Sequence, residues 1–182
     1  MNFSKWLLKK LGWKTKIEID EIPDKCVICV APHTSNWDFV MGKLVYWSLD
    51  KHAGFLIKKS WTVFPFSLIF KPMGAIPVDR TKKTSVTDQV VEMFNSNNKL
   101  QIAITPEGTR KKNPNWKKGF YYIALNAHVP IVLAGMDYSK KEMIFGRIFW
   151  PTGNVDKDMV EIQDFYKDMS GKNPENFSIG KE

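Results

Sequence analysis

Hydrophobic residues alternate along the chain between short continuous runs and longer stretches in which they recur every three or four positions. The continuous runs predict buried strands at 27–31, 55–57, 75–78, 100–105, 129–134 and 143–149. The wider spacing predicts helices at 3–11, 36–48, 84–95, 116–127 and 156–169. Strands that alternate with helices predict an α/β fold, a single domain over 1–182 with a mixed, largely parallel sheet flanked by helices.

Two segments of the chain are rich in apolar residues but leave their structural role open. Residues 61–70 are apolar all round and contain Pro65, which predicts either a kinked helix or a buried loop. The helix at 3–11 is amphipathic, with lysines on one side and an apolar side formed by Phe3, Trp6, Leu7 and Leu11. Two interpretations of 1–14 stay open: contact with a membrane surface, or packing on the protein's own core.

Composition excludes several classes of protein. Apolar residues make up 43% of the chain and charged residues 25%, which excludes a disordered or collagen-like protein. No uninterrupted apolar run reaches the roughly 18–20 residues of a membrane span, and the first residues lack a signal-peptide cleavage site. Cys26 and Cys29 lie in or beside a predicted strand, so we expect buried apolar side chains rather than a redox or metal site. We therefore expect a soluble or peripheral protein in a reduced, cytoplasmic compartment.

Positive charge is concentrated in the middle of the chain. Residues 51–118 contain thirteen basic and four acidic side chains, a net charge of +9 within a total of +8. Such a surface favours an anionic partner, which is nucleic acid, anionic lipid or a phosphorylated substrate. The charge alone does not distinguish these three.

Several familiar catalytic motifs are missing from the sequence. It contains no G-x-S-x-G, no G-x-x-x-x-G-K-[ST], no G-x-G-x-x-G and no H-E-x-x-H. Serine hydrolysis through a nucleophile elbow, P-loop nucleotide hydrolysis and zinc proteolysis therefore lose support.

His33 and Asp38 form the strongest local candidate for catalysis. His33 follows a predicted strand, and Asp38 comes five residues later in the first turn of the next predicted helix. A turn of this length can fold the carboxylate back towards the imidazole, which would hold a general base in one tautomer. Alternatively, Ser35-x-x-Asp38 is a helix capping box that explains the aspartate without catalysis. The two interpretations are compatible.

Four sequence blocks carry a resemblance to a known family. His33-Thr-Ser-Asn-Trp-Asp38 resembles the HxxxxD signature of the glycerolipid acyltransferase family, which includes the 1-acylglycerol-3-phosphate acyltransferases. Three further blocks resemble the family's other motifs, in the same order: 74–80 with Lys58-Lys59 before it, 105–110, and Val129-Pro-Ile-Val. Together they cover about residues 26–135, although Thr105 stands where the family has an aromatic residue.

The resemblance implies acyl transfer from acyl-CoA or acyl carrier protein to a lysoglycerolipid hydroxyl. The default acceptor is 1-acylglycerol-3-phosphate, and other lysophospholipids stay open. His33 would be the base and Asp38 its orienting partner. The substrate phosphate would be bound at Lys58, Arg80, Glu107, Gly108, Thr109 and Arg110. The family implies no metal and no cofactor beyond the acyl donor.

The same resemblance implies that the partner surface is an anionic membrane. The protein would act as a peripheral protein at the inner face of that membrane. A basic and aromatic nucleic-acid-binding module is the alternative from another class of function. Its basic residues would be scattered over several elements and no nucleic-acid-binding motif is present, so we expect no nucleic-acid partner.

Overall fold

Seven strands form one sheet in the computed structural model, which describes residues 2–79, 81 and 84–180. The strands are β1 Lys14–Ile17, β2 Lys25–Ala31, β3 Gly54–Lys58, β4 Ala75–Val78, β5 Leu100–Ile104, β6 Ile131–Asp137 and β7 Glu142–Phe149. The helices are α1 Phe3–Lys10, α2 Trp37–Ser48, α3 Ser67–Phe70, α4 Val86–Ser96, α5 Gly119–Asn126 and α6 Val155–Asp164. Short 3₁₀ turns lie at Lys59–Thr62 and Pro174–Asn176.

The sheet order is β1-β7-β6-β2-β5-β3-β4, and every neighbouring pair is parallel except β6 and β7. The predicted fold class, α/β with a mixed, largely parallel sheet flanked by helices, is therefore confirmed. The central strand β2 lies between β5 and β6, and Cys29 is paired with Ile104. This register brings the carboxyl ends of β2 and β5 to the same edge of the sheet.

Each face of the sheet is covered by its own hydrophobic cluster. Leu8 of α1 and Met41 of α2 pack on one face, whereas Phe94 of α4 and Ile162 of α6 pack on the other. None of the helices in the described part of the chain has the length and apolarity needed to cross a bilayer.

The two cysteines are buried, as expected from the sequence. Cys26 belongs to one hydrophobic cluster and Cys29 to the other, because alternate residues of β2 face opposite sides of the sheet. Burial raises the pKa of each thiol to about 12, which keeps both protonated and unreactive at neutral pH.

The amphipathic helix α1 packs on the protein and also leaves apolar side chains exposed. Leu8 is buried against the cluster that includes α2, and Leu7 is half-buried. Phe3, Trp6 and Leu11 remain exposed, and Phe3 keeps 70% of its surface. Packing on the core therefore accounts for the buried side of this helix, and membrane contact through the exposed side stays a prediction.

The prediction for 61–70 is wrong, because this segment is neither one kinked helix nor a buried loop. The 3₁₀ turn Lys59–Thr62 and the short helix α3 are separated by Pro65, and none of the residues 58–71 is buried. An apolar sequence shows that a segment disfavours water, but it does not show that the covering surface belongs to the same chain.

Two further differences from the sequence predictions occur near the chain ends. Strand β1 was not predicted, because Lys-Thr-Lys-Ile is mostly polar; it is an edge strand that pairs only with β7. Helix α6 ends at Asp164 rather than at 169. Beyond it, Phe165 and Met169 fill the space over Gly135 and Gly146 of the sheet, where a Cβ would collide with them.

Candidate active site

Three loops meet at the carboxyl edge of the sheet. One joins β2 to α2, one follows β5, and the third begins where β3 ends. Because β3 pairs with β5 and β5 with β2, all in parallel, these three strand ends lie side by side. Ligands of open α/β sheets bind at this edge, where the loops provide adaptable side chains next to a rigid scaffold.

The structure brings His33 and Asp38 together in the first of these loops. The chain leaves β2 through Pro32, and Asp38 lies in the first turn of α2. Nδ1 of His33 is 3.2 Å from Oδ2 of Asp38, and the imidazole retains 19% of its side-chain exposure. A carboxylate on Nδ1 favours the tautomer that leaves Nε2 able to accept a proton.

Asp38 is held as a carboxylate by a set of hydrogen-bond donors. Its Oδ2 accepts the N–H groups of Thr34 at 2.7 Å and Ser35 at 2.8 Å, and its Oδ1 accepts the Tyr138 hydroxyl at 2.8 Å. Burial alone would raise the pKa of Asp38, but the hydrogen bonds from His33, Ser35 and Tyr138 hold that pKa below its usual value. The buried carboxylate is therefore ionised at neutral pH.

The capping interpretation of Asp38 also describes part of the geometry. The Ser35 N–H donates to Asp38, as in a capping box, and the Ser35 hydroxyl accepts the N–H of Trp37 at 3.2 Å. One carboxylate thus organises the start of α2 and faces the imidazole. The capping box is therefore half formed, because the Ser35 hydroxyl accepts the N–H of Trp37 and not that of Asp38, and the catalytic role of the pair stays a prediction.

Glu107 lies against the backbone of the histidine. Its side chain is fully buried, and Oε1 accepts the backbone N–H of His33 at 2.5 Å. Its Oε2 is buried without a hydrogen-bond partner in the described part of the chain. In the structure Glu107 braces the backbone that carries the imidazole, and its part in a phosphate site stays a prediction.

Burial also changes the acidity of Glu107. It raises the pKa of this carboxyl to about 8, while the hydrogen bond from His33 opposes the shift and the nearby charge of Asp38 adds to it. At neutral pH most molecules therefore carry a proton on Glu107. The proton removes one of two closely placed negative charges beneath the loop.

Replacing Glu107 by glutamine should stabilise the fold progressively between about pH 5 and pH 8. The folded wild type binds a proton that the unfolded chain releases near its ordinary pKa of 4.5, so wild-type stability falls as pH rises through this range. Glutamine keeps an acceptor for the His33 N–H but does not titrate. Urea unfolding of both proteins at several pH values measures the difference, and a difference independent of pH would contradict the assignment.

Two parts of the site come from distant segments that sequence reasoning missed. Tyr138, directly after β6, contacts Asp38, as described above. Asn173 donates through its backbone N–H to the Thr34 hydroxyl at 3.1 Å and through Nδ2 to the Thr34 carbonyl at 2.8 Å. Gly171 packs so closely on Thr34 that any side chain there would collide. No local sequence pattern marks these residues, because their partners lie about a hundred or more positions away.

A polar cavity of about 550 Å³ lies beside the histidine. It is lined by His33, Thr105, Gly108, Thr109, Arg110 and Lys111. Gly108 adopts a φ of +66°, which favours glycine at the turn after β5. Arg110 donates from Nη1 to Oδ1 of Asn36 at 2.5 Å, which ties the turn to the start of α2 and holds the guanidinium near the imidazole.

Lys58 and Arg80 are the two other residues that the sequence predicts to bind the phosphate. Lys58 ends β3 at the same edge of the sheet and is exposed, but it lines neither cavity described here. Arg80 lies outside the described residues. Among the predicted set, the structure therefore places Gly108, Thr109 and Arg110 in the cavity beside the histidine, and Glu107 against its backbone.

A second, apolar cavity of about 670 Å³ extends from the same point between α2 and the sheet. Its apolar lining includes Val30, Phe39, Val40, Phe55, Leu56, Ala103 and Met143. His33, Thr105 and Arg110 line both cavities, so an apolar and a cationic compartment meet at the imidazole.

One charged group lies in the wall of the apolar cavity. Lys43 Nζ donates to the carbonyl of Ala53 at 2.6 Å and lies 4.8 Å from the centre of the Phe55 ring. Burial lowers the pKa of Lys43 to about 8. In the part of the chain that the structure describes, no three His, Cys, Asp or Glu side chains are grouped as metal ligands.

Comparisons with known proteins identify the family of this chain. A family model described as Acyltransferase matches residues 14–136. A 1-acyl-sn-glycerol-3-phosphate acyltransferase from Cocos nucifera is 29% identical over 128 residues, which is 67% of this chain and 41% of the relative. The chain thus spans less than half the length of that relative.

A solved structure resembles the whole fold. The 1-acyl-sn-glycerophosphate (LPA) acyltransferase from Thermotoga maritima matches with a TM-score of 0.54 at 17% identity, over 93% of this chain and 79% of that chain. At this level of identity the match shows a shared fold.

Proposed function

The chain belongs to the acyltransferase family, and from this premise we propose that it transfers a fatty acyl group from a thioester donor to the free hydroxyl of a lysoglycerolipid. We take 1-acylglycerol-3-phosphate as the acceptor, and acyl-CoA or acyl carrier protein as the donor. The carrying observation is that an apolar cavity and a cationic cavity meet at His33, which is paired with Asp38. The Cocos nucifera relative is named for the same acceptor.

In the proposed reaction His33 is the general base. Nδ1 faces Asp38, so Nε2 is the atom that takes the proton from the acceptor hydroxyl. As the proton leaves, the hydroxyl oxygen bonds to the thioester carbonyl carbon. The tetrahedral intermediate then breaks its C–S bond, and the leaving thiolate takes the proton from the imidazolium. The products are the new ester and a free thiol. Asp38 stabilises the imidazolium between the two proton transfers.

The polar cavity is suited to the acceptor's phosphate. Arg110 presents a planar guanidinium that binds phosphate oxygens through two parallel hydrogen bonds. Gly108 and Thr109 add the turn that carries it, and both belong to the block that resembles the family motif. Glu107, which is fully buried, supports the loop that carries His33 next to this turn.

The apolar cavity is suited to a fatty chain. We assign it to the transferred acyl group, because its lining reaches His33 and would place the thioester carbon beside the imidazole. Burial of methylene groups between α2 and the sheet contributes about 0.8 kcal/mol for each one. The cavity therefore both binds the donor and orients its reacting carbon.

Acceptor binding through phosphate leads to a specific expectation for Arg110. Arg110→Ala should raise the KM for 1-acylglycerol-3-phosphate about tenfold or more, because it removes charge-assisted hydrogen bonds worth about 1.5–3 kcal/mol. Lys112→Ala is the matched control, since it removes a neighbouring exposed positive charge that lines neither cavity. The KM of each variant is measured by steady-state kinetics at varied acceptor concentration. Equal KM values in the two variants would show that Arg110 does not bind the phosphate.

A donor-by-acceptor panel tests the proposed function as a whole. Purified protein is incubated with acyl-CoA or acyl-loaded carrier protein and with lysophosphatidate, other lysophospholipids or a phosphate-free monoacylglycerol. Mass spectrometry identifies the lipid products. We expect product with phosphate-bearing acceptors and little with the monoacylglycerol. No ester product from any pair would refute acyl transfer.

We also propose that the protein works at the cytoplasmic surface of an anionic membrane, where a soluble thioester meets a lipid acceptor. Helix α1 supports this location because it leaves Phe3, Trp6 and Leu11 exposed beside the exposed Lys5 and Lys9. Apolar and aromatic side chains next to lysines are typical of helices that lie in the headgroup region.

A further inference from the structure

The segment that joins β3 to β4 has an unusual surface. We define the β3–β4 segment as residues 58–71, of which none is buried. Its large apolar side chains are among the most exposed in the described chain: Phe64 at 79%, Leu68 at 69%, Ile69 at 60% and Val63 at 56%. Soluble proteins rarely expose a continuous apolar patch of this kind unless another surface covers it.

This exposure does not arise from missing local structure. The N–H of Ser67 donates to the Val63 carbonyl at 2.9 Å, and the N–H of Phe70 to the Phe66 carbonyl at 3.0 Å. The ring of Trp61 packs 5.4 Å from that of Phe66 and 5.7 Å from that of Phe70. The segment is thus folded on itself and presents its remaining apolar side chains outward.

All charged side chains within the segment are positive. Lys58 and Lys59 stand at its start, Lys71 stands at its end, and no Asp or Glu occurs between them. Lys59 lies 3.5 Å from Asp79, which is itself outside the segment. An apolar tip flanked by lysines is complementary to a bilayer with anionic headgroups.

The segment also lies at the correct edge of the molecule. It begins where β3 ends, and β3 is linked through β5 to β2, whose carboxyl end leads to His33. A surface at this edge lies on the side where a lipid acceptor would enter. Strand β3, which leads into the segment, contributes Phe55 and Leu56 to the lining of the apolar cavity.

We propose that the β3–β4 segment inserts into the headgroup region of an anionic bilayer and holds the entrance of the active site against the membrane. The inference rests on the proposed function for the identity of the acceptor lipid. Insertion itself requires no turnover, so it is measured independently. Helix α1 then supplies a second, weaker contact through its exposed aromatic side chains and lysines.

The test compares two single substitutions at equally exposed positions. Leu68 in the segment and Val160 on α6 both have 69% exposure, and α6 covers the opposite face of the sheet from α1 and α2. Leu68→Glu and Val160→Glu therefore add the same charge at surfaces of equal exposure. Binding of the full chain is measured by co-sedimentation with phosphatidylcholine vesicles, with and without phosphatidylglycerol, at low and high salt.

We expect Leu68→Glu to lower the vesicle partition coefficient at least tenfold, because it removes one inserted side chain and introduces a repelled charge. Val160→Glu should change it less than about twofold. High salt should weaken but not abolish wild-type binding, since insertion of apolar side chains is not screened. Leu68→Ser, which adds no charge, should show an intermediate loss. Equal binding of the Leu68 and Val160 variants would overturn the proposal.

Two further measurements test whether helix α1 makes the main membrane contact and whether a second copy of the chain covers this surface. Trp6→Glu on α1 should reduce binding less than Leu68→Glu, and the reverse order would assign the main contact to α1. Sedimentation equilibrium in the absence of lipid tests a second copy of this chain. A dimer that Leu68→Glu dissociates, with unchanged vesicle binding, would show a protein interface instead of a membrane surface.

Activity distinguishes failure of this inference from failure of the proposed function. Leu68→Glu should lose most acyl transfer to acceptor embedded in vesicles but keep wild-type rates on a dispersed short-chain lysophosphatidate. Equal losses on both acceptors would overturn the positioning role. A wild type that binds vesicles through Leu68 but forms no ester with either acceptor would refute acyl transfer and leave the membrane contact standing.

Discussion

His33→Ala is expected to lower acyl transfer by about 10²–10⁴-fold, the range over which a positioned general base accelerates proton transfer. The imidazole is the group at which both cavities meet, and its Nδ1 faces the ionised Asp38. Without it, the general base of the proposed reaction is lost. The fold should survive, because the Glu107 contact is made by the backbone N–H of residue 33 and not by the ring.

The matched control for this prediction is His52→Ala. His52 is exposed in the connection between α2 and β3, lines neither cavity, and should leave activity unchanged. Initial rates, together with thermal unfolding and acceptor binding by calorimetry, separate loss of chemistry from loss of structure. A folded His33→Ala protein with wild-type turnover would exclude the histidine as the base.

Asp38→Asn should produce the second large effect, a loss of about 10²–10⁴-fold in kcat with little change in acceptor KM. The neutral amide no longer stabilises an imidazolium, and it offers one oxygen where the carboxylate offers two. Thr34, Ser35 and Tyr138 then compete for the remaining acceptor.

The same substitution should also destabilise the fold in a pH-dependent way. Because hydrogen bonds hold the folded pKa of Asp38 below its ordinary value of 3.8, its contribution to stability is present above that value and is lost as pH falls through the folded pKa. The stability difference between wild type and Asp38→Asn should therefore narrow in acid. Urea titrations at neutral and acidic pH measure this change.

The chain contains its own control for the capping role. Ser85-x-x-Asp88 repeats the Ser35-x-x-Asp38 pattern at the start of α4, where the Asp88 N–H donates to the Ser85 hydroxyl at 3.0 Å. Asp88→Asn should cost a little stability and no activity, since neither cavity includes it. Similar kinetic losses in the two variants would show that Asp38 acts on the helix and not on the histidine.

Local patterns were sufficient for most elements and for the centre of the site. The β-branched runs of β2 and β6 identify buried strands, because a strand covered on both faces has no polar side to alternate. His33 and Asp38 are five residues apart, so the strand end and the following helix turn bring them together without any distant contact. The same holds for Gly108 and Arg110, which lie in one turn after β5.

Only the tertiary structure decided what surrounds that centre. Glu107 supports His33 across 74 positions, Tyr138 reaches Asp38 across 100, and Asn173 holds Thr34 across 139. A repeating pattern of apolar and polar residues arises only within one helix or strand. These three contacts join different elements, so no such pattern marks them. The resemblance pointed to Glu107 for a different role, and the residue types of Tyr138 and Asn173 carried no signal.

The β3–β4 segment shows the same limit for burial. Its apolar sequence predicted either a kinked helix or a buried loop, yet the structure leaves these side chains all outside the core. The hydrophobic effect depends on the area removed from water and not on which molecule removes it. The sequence by itself determined most of the helices and strands and the histidine–aspartate pair, whereas the packing of distant elements decided which apolar surface the protein covers and which one it leaves exposed.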